Sequence, residues 1–295
     1  MSVKFSQIGG RLRAYRLGKN YTAAEIAERI GVSRAAVYRL EKGELVKIET
    51  LERLSELLEV SLPSLLGVEV EYYSSAVSFF ERMRQLEEGA DRVLGNFSPS
   101  SLLLFSEEYM DHLRTMLLET PVDGHTERQT YEEYVDSVLE LNRERRAAAA
   151  RRHTPVVSIV GARDIERFLR SGLVGCFDLP AAELEQRRKA ARREVEHLVE
   201  IVAKPPAGVA IGIVEDTPSA QTFQVFEAQD TTWVTLSPYR LGEHPNVTSG
   251  IAMVTSAPEA VRLFRDIITG QWERAHKDDA AVRVLRDLLE QTEPV

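Results

Sequence analysis

The first 66 residues carry hydrophobic positions at helical spacing, in short segments separated by turn residues. In TAAEIAERI the apolar residues Ile26 and Ile30 lie one turn apart, and in SRAAVYRL the residues Val37 and Leu40 form a second inward stripe. Polar residues occupy most other positions of both segments. The pattern predicts two short helices, of which the second leaves a broad outer face exposed.

Capping residues delimit these two helices. Thr22 followed by Glu25 is a capping-box pattern, which favours a helix beginning after Thr22. Gly31 is suited to the left-handed conformation that ends this helix, and Ser33 is suited to cap the next one. Ala27 is small enough for two helices to approach closely across a three-residue turn. Together these residues predict a helix-turn-helix.

Flanking segments extend this unit to five helices. IGGRLRAYRLGKN supplies one amphipathic helix before it, and IETLERLSELLEVSLPSLLG supplies two after it. The series, over residues 7–66, resembles the XRE family, which comprises the lambda-repressor and Cro-like DNA-binding domains. The resemblance implies an all-α domain at residues 1–67 that binds a double-stranded DNA operator.

The resemblance also implies roles for individual residues. The start of helix two, which follows Thr22, faces base edges, and so do the start and middle of helix three, the reading helix. An arginine at such a position can bind guanine O6 and N7. An alanine at position 23 departs from the polar residue often found there, so helix two is expected to read fewer bases. The expected base contacts are Ala23, Arg34, Ala35 and Arg39, and the expected phosphate contacts are Thr22, Ser33, Tyr38 and Lys42.

The segment after this domain has apolar residues at spacings of three and four. The series predicts one helix with a seam of coiled-coil type, ended by Gly95 and Asn96. Such a helix either joins two subunits or packs on its own body. We expect a linker or dimerisation helix over residues 68–95. The seam consists of Tyr72, Ala76, Phe79, Met83, Leu86, Ala90 and Val93.

Short β-rich runs alternate with helical patterns in the remaining residues, 96–295. They predict an α/β (α+β) effector and dimerisation domain, so the chain is expected to be multidomain. The segment FSPSSLLLFSEEYMDHL fits a strand or a helix equally well at its start. The expected strands are 156–160, 208–214, 222–228, 231–236 and 250–256, and the expected helices are 130–152, 163–171, 181–203, 258–275 and 279–291.

The last strand and helix of this region, GIAMVTSAPEAVRLFRDIITGQWERA, resemble the phospholipase-D-like domains that some transcription regulators carry without activity. Catalytic members need a nucleophilic histidine with a lysine two residues later. None of the six histidines of this chain has that neighbour. If the fold is of this kind, we expect phosphodiester chemistry to be absent.

Composition and charge limit the partners. A chain of 295 residues with 43% hydrophobic and 28% charged residues is long enough for two domains. Residues 1–66 hold 11 Lys+Arg and 8 Asp+Glu, a net charge of +3, whereas the whole chain has a net charge of −9 and the remainder therefore −12. The acidic body repels DNA, so binding is expected to depend on the N-terminal domain.

Other motifs point away from enzymes and membranes. The chain has no phosphate loop, no Gly-x-Ser-x-Gly elbow and no His-Glu-x-x-His, and a single cysteine, Cys176. It has no apolar run long enough to span a membrane and no signal-peptide core. We expect a cytoplasmic protein that is not an enzyme, with no cofactor, no metal site and no membrane partner.

Two polar segments are candidates for further contacts. The loop SPYRLGEHPNV brings together Tyr239, Arg240, His244 and Asn246, which either orient a small polar or anionic ligand or form a self-satisfied surface turn. The arginine-rich run RERRAAAARRH, 143–153, could reach the DNA backbone, but we interpret it as a solvated helix face. The loop is the predicted ligand site.

These features favour a one-component transcription regulator. It is expected to bind a palindromic operator as a homodimer and to respond to a small-molecule effector through its C-terminal domain. One alternative is an antitoxin-like repressor that masks a protein partner. Another is an enzyme fused to a DNA-binding module, for which acidic residues around His197 or His244 would be the first structural sign.

Overall fold

A computed structural model describes residues 5–44, 47–68, 70–97, 104–120, 128–215 and 222–292. Its N-terminal part is helical, as the spacing predicts. Ile26, Val37 and Leu54 are completely or almost completely buried among the helices there. The helices are α1 (Phe5–Gly18), α2 (Ala23–Ile30), α3 (Arg34–Glu41), α4 (Ile48–Leu58) and α5 (Leu62–Leu66).

The rest of the described chain forms a mixed seven-stranded sheet with helices on both faces. The strands are β1 (Val70–Tyr73), β2 (Arg92–Phe97), β3 (Val156–Gly161), β4 (Val209–Val214), β5 (Thr222–Glu227), β6 (Thr232–Ser237) and β7 (Ala252–Thr255). The helices are α6 (Ala76–Gly89), α7 (Tyr109–Glu119), α8 (Arg128–Arg152), α9 (Ala162–Ser171), α10 (Ala181–Ala203), α11 (Pro258–Arg274) and α12 (Asp278–Gln291).

The strand order is β1-β7-β6-β5-β2-β3-β4. β2, β3 and β4 are parallel to one another, and the other neighbours are antiparallel. Helices α8 and α10 lie in the crossovers between the parallel strands, where a right-handed connection needs a long segment. The structure thus has the mixed α/β composition that the alternating runs predict.

The two faces of the sheet are covered unequally. On one face, Phe226 and Trp233 belong to a large core that continues into the N-terminal helices. On the other face, α11 covers Phe223, Val225 and their neighbours. Strand residues alternate between the two faces because side chains of a strand point to opposite sides in turn. The N-terminal helices therefore share a core with the sheet.

The predicted single helix over residues 68–95 is wrong. Val70–Tyr73 and Arg92–Phe97 are strands, and helix occupies Ala76–Gly89 between them. The seam residue Phe79 is 1% exposed, and Ala76, Met83 and Leu86 are also buried, because α6 packs against α1 and α8. Burial rules out a free coiled-coil seam in this arrangement. The proposed domain limits at residues 67 and 95 stay predictions.

The interpretation of the arginine-rich run as a solvated face is also wrong in part. Arg145 binds the carboxylate of Glu87 on α6 at 2.6 Å, and Arg146 donates to the carbonyl of Phe105 at 2.9 Å. Arg152 donates to the carbonyl of Glu88. These arginines therefore attach α8 to its neighbours.

The remaining elements agree closely with the sequence patterns. The five expected strands and five expected helices after residue 128 all exist, with ends shifted by at most a few residues. Of the undecided segment, residues 98–103 lie outside the described residues, and its last part begins α7. No helix among the described residues is long and apolar enough to cross a membrane.

Candidate DNA-binding surface

Capping fixes α2 and the turn after it. The Thr22 hydroxyl accepts a hydrogen bond from the Glu25 amide at 3.2 Å, and the Glu25 carboxylate accepts one from the Thr22 amide at 2.7 Å. These bonds to Thr22 hold the pKa of Glu25 below its usual value. Gly31 ends the helix at φ 71°, a left-handed conformation that an L side chain adopts with strain. The capping box forms as predicted.

The helix α3 turns most of its surface outward. Ser33 caps it by accepting a bond from the Ala36 amide at 3.1 Å. Within α3, which the structure describes completely, Val37 is the buried residue, with 0% exposure. Residues on the opposite side are free to enter a groove. Arg34, Ala35, Tyr38, Arg39 and Lys42, the C-cap, are all exposed.

Two of the predicted base contacts carry local partners on this surface. The Arg34 guanidinium donates to the Tyr38 hydroxyl at 3.2 Å and lies 5.5 Å from the centre of the Tyr38 ring. Arg39 lies 3.7 Å from the carboxylate of Glu44, and its side chain is 62% exposed. Both contacts are exposed, so they are weak and DNA can replace them.

The structure argues against the base contact predicted for Ala23. This residue is 4% exposed and belongs to the core of the helical domain. A methyl group packed there does not reach a base edge. Two residues of the first turn of α2 are exposed: Ala24, whose side chain has no hydrogen-bonding group, and Glu25, whose carboxylate is held by Thr22 in the capping box. The candidate reading surface is therefore reduced to α3.

Helix α1 holds the reading helix in place. Arg16 on α1 forms a two-bond ion pair with Glu41 at the end of α3, with distances of 2.5 and 3.1 Å. Gly9 lies against the same end: a Cβ added there would come within 2.5 Å of the carbonyl oxygens of Leu40 and Glu41. Because α1 meets backbone groups of Leu40 and Glu41 directly, α1 and the end of α3 are in close contact.

The four predicted ligand contacts lie in one loop, and most of their polar groups have partners within the protein. Tyr239 is buried and donates to the carbonyl of Tyr73 at 3.2 Å. Arg240 binds Glu243 at 3.0 Å. The Asn246 side chain closes the loop on itself through bonds to nearby backbone groups. His244 stacks on Phe177 with 4.3 Å between ring centres. Nδ1 of His244 is buried without a hydrogen-bond partner among the described residues, and the ligand site predicted for this loop stays a prediction.

The acidic residue beside His244 is paired through one of its two oxygens. Glu243 is 1% exposed, and its Oε1 accepts bonds from Arg167 at 2.8 Å and from Arg240 at 3.0 Å. Its Oε2 is buried without a hydrogen-bond partner among the described residues. Among the described residues, no group of three His, Cys, Asp or Glu side chains is placed to hold a metal ion.

The sequence patterns missed a buried ionic cluster between the helical domain and the sheet. Glu71 on β1 accepts bonds from Arg11 on α1 at 2.5 Å and from Arg82 on α6 at 2.8 and 3.0 Å, and Tyr73 donates to it at 2.6 Å. Both guanidiniums lie over the ring of Trp233, at 5.5 and 5.2 Å. These partners are distant in sequence, so no local signal predicts the cluster.

Comparison with family models matches residues 12–65 to the helix-turn-helix family. The match covers α2, the turn, α3 and α4, together with the second half of α1 and most of α5. It supports a DNA-binding transcription regulator of XRE type. A comparison with curated proteins and one with solved structures returned no match. The phospholipase-D-like resemblance of the C-terminal region has no support from these comparisons.

Proposed function

We propose that the protein is a ligand-responsive transcription regulator that binds a palindromic operator as a dimer, through the helix-turn-helix domain at residues 12–65. The observation that carries the proposal is the outer face of α3, which is exposed along its length while its two ends are held by Ser33 and Glu41. A rigid helix with an exposed basic face suits the major groove.

In this proposal Arg34, Ala35 and Arg39 contact base edges. Arg39 stands one turn beyond the first residues of α3, where its guanidinium can bind guanine O6 and N7. The hydroxyl and ammonium groups around it contact phosphates and set the register of α3 on the duplex. These phosphate contacts are Thr22, Ser33, Tyr38 and Lys42.

The proposed dimer uses the less covered face of the sheet. α11 packs over β2–β6 on this face, and the register places Tyr72 of β1 on the same face beyond it, where its side chain is 51% exposed. On α11 itself, Leu263 and Ile267 are 47% and 43% exposed and lie one helical turn apart. A contiguous apolar patch on a protein surface marks an interaction site, and we interpret these three side chains as such a patch. We define this apolar face as Tyr72, Leu263 and Ile267.

Two copies paired in this way would present two α3 helices to one duplex. Since successive major grooves on one side of DNA are separated by one helical turn, about 34 Å, the operator would be an imperfect palindrome. An effector acts by binding one dimer geometry better than another. The proposal contains no catalytic step and no cofactor.

Selection of bound sites from genomic fragments tests the proposal. The recovered DNA is sequenced, and the selection is repeated with the Arg39→Ala variant as the matched control. A palindromic site that the wild-type protein enriches, and in which the variant loses preference at one position of each half-site, would support the proposal. Enrichment of no common sequence, or of the same sequence with the same preference at every position by both proteins, would contradict it. Co-purification of a tightly bound partner protein would favour the antitoxin-like alternative.

A further inference from the structure

A cleft of about 470 Å³ opens where the helical domain meets the sheet. Gln7 of α1 lines one side, Arg82 and Gln85 of α6 line another, and Phe226 and Trp233 of β5 and β6 line the third. Residues 228–231, which connect these two strands, and residues 89–91 complete the rim. A volume of this size is within the range of sites for small organic ligands. The cleft does not involve the loop at residues 237–247.

The buried ionic cluster to which Arg82 belongs, next to the cleft, carries an excess of positive charge. Arg11 and Arg82 share the single carboxylate of Glu71, so these three buried residues have a net charge of +1. The next buried carboxylate, Glu81, is paired with Arg84 at 2.9 Å and with Arg13 at 3.4 Å. It therefore does not offset the positive charge of the cluster.

Donor capacity remains on Arg82, the guanidinium that lines the cleft. Its Nη1 has Gln85 at 3.4 Å, a long contact that leaves this nitrogen available to a ligand. Arg11 is not among the described residues that line the cleft, so it contributes its charge and not a hydrogen bond. An anion is the complementary ligand.

The walls and the rim limit which anion fits. Phe226 and Trp233 are buried aromatic residues beside Arg82, so the inner wall is apolar. Asp91 and Asp230 line the cleft and are exposed, which disfavours a second negative charge near the opening. A single anionic group next to an apolar body matches this arrangement.

We infer that the cleft binds a small organic monocarboxylate, whose carboxylate faces Arg82 and whose apolar part lies along Phe226 and Trp233. This inference rests on the proposed function, since it names the effector class of the proposed regulator and moves the effector site from the loop to the cleft. The ligand's carboxylate supplies the negative charge that the buried cluster lacks, and the aromatic wall supplies the contact area.

The position of the cleft connects the ligand to the reading helix. Gln7 lines the cleft and lies on α1 one turn before Arg11. The same helix holds α3 through the Arg16–Glu41 ion pair. A ligand that contacts both α1 and α6 favours one placement of α1 on the sheet, and hence one placement of α3. Such a ligand changes DNA affinity if that placement differs from the one that fits the operator.

Fluorescence of Trp233 measures binding directly. The chain has two tryptophans, and Trp272→Phe leaves Trp233 as the single reporter at the cleft. This variant is titrated with benzoate, phenylacetate and hexanoate, and with the three corresponding neutral amides. We expect a saturable change with at least one carboxylate and at least tenfold weaker binding of its amide. Equal binding of acid and amide, or no saturable change with any of the three acids, overturns the inference.

A cleft-filling variant locates the site. A Cβ added at Gly89, on the rim, meets no atom within 4 Å, so a side chain can begin there without a clash, and Gly89→Phe is chosen to occupy the cleft. Arg193→Phe, on the exposed side of α10, is the matched control. We expect Gly89→Phe to weaken carboxylate binding at least tenfold and Arg193→Phe to leave it unchanged. Equal affinity of the two variants overturns the assignment to this cleft.

DNA binding is measured separately on the same proteins, with the operator obtained by site selection. Carboxylate binding without any sequence-specific DNA binding would support the cleft and contradict the proposed function. Specific DNA binding with no carboxylate bound would contradict the inference and leave the regulator proposal standing.

Discussion

At the scale of single residues, Arg39 and Lys42 separate sequence reading from attachment. Arg39→Ala is expected to relax preference at one operator position and to cost about 1–3 kcal/mol at the cognate base. Lys42→Ala is expected to weaken all sequences alike and to lower the slope of log affinity against log salt by about one. Titrations of the operator and of single-base variants at several salt concentrations measure both effects. Equal behaviour of the two variants would refute the assigned roles.

We expect Glu44 to lower the operator affinity that Arg39 provides. Its carboxylate lies 3.7 Å from Arg39 in the free protein, and it must give up this contact when Arg39 binds guanine. Glu44→Gln is therefore expected to raise operator affinity modestly, by about 0.2–1 kcal/mol, the range of exposed ion pairs. Combining it with Arg39→Ala checks the cause, because the gain should vanish when the arginine is absent. A gain that persists in the double variant would locate the effect elsewhere.

Glu71 is the residue on which the junction between the helical domain and the sheet depends. Glu71→Gln leaves two buried guanidiniums without a carboxylate and is expected to lower the free energy of unfolding by about 3–5 kcal/mol. Glu52→Gln, at an exposed position of α4, is the control and is expected to have little effect. Chemical denaturation at neutral pH compares them. A loss as small as that of the control would show that the cluster contributes nothing.

The same carboxylate makes stability depend on pH. Burial by itself raises the pKa of Glu71, but the charges of Arg82 and Arg11 outweigh burial and hold the pKa below its ordinary value of 4.5. The stability that Glu71 contributes is therefore present above the ordinary carboxyl pKa and is lost as the pH falls through the lower folded value. The difference in unfolding free energy between wild type and Glu71→Gln should be constant above pH ~5 and shrink in more acidic solution. A constant difference at all pH values would contradict this.

At the scale of elements, the contact of α1 with α3 is a backbone contact. Gly9→Ala places a methyl group 2.5 Å from two carbonyl oxygens and is expected to destabilise the protein by about 1–3 kcal/mol, although alanine is the better helix former. Gly89→Ala, which meets no atom within 4 Å, is the matched control and is expected to be neutral or slightly stabilising. Thermal unfolding of both proteins measures the difference. Stabilisation by Gly9→Ala would show that α1 and α3 separate easily.

The error over residues 68–95 has a physical cause at this scale. Tyr72 and Val93 continue the three-and-four spacing of α6 by coincidence, but both residues are in strands that pair with distant segments: β1 with β7, and β2 with β3 and β5. Local spacing contains no information on such pairing. Tertiary hydrogen bonding therefore overrides the helical pattern at both ends of α6.

At the scale of the whole molecule, the apolar face predicts the oligomeric state. Ile267→Asp places a charge at the centre of the proposed interface and is expected to convert a dimer to a monomer, while Ile48→Asp, at a 66% exposed position of α4, leaves the dimer intact. Light scattering during size-exclusion chromatography distinguishes these outcomes. A wild-type protein that is monomeric at micromolar concentration, or a dimer unaffected by Ile267→Asp, would contradict the proposed interface.

The sequence by itself determined the local features of this protein. Thr22, Glu25, Gly31 and Ser33 act on neighbours within a few residues, so their capping roles are written in the chain, and the resulting helix-turn-helix matches a known family. The alternation of apolar runs likewise specified the strands and helices after residue 128, because periodicity of two or of about 3.6 records which side of an element is buried.

Only the tertiary structure decided which distant residues meet. Arg11, Glu71 and Arg82 form one buried cluster, Ala23 is turned into the core, and the loop that carries Tyr239 and Asn246 closes on itself. The cleft beside Trp233 also exists only after α1, α6 and two strands have packed together. Burial and ion pairing depend on contacts between segments far apart in the chain, and no periodicity within one segment encodes them.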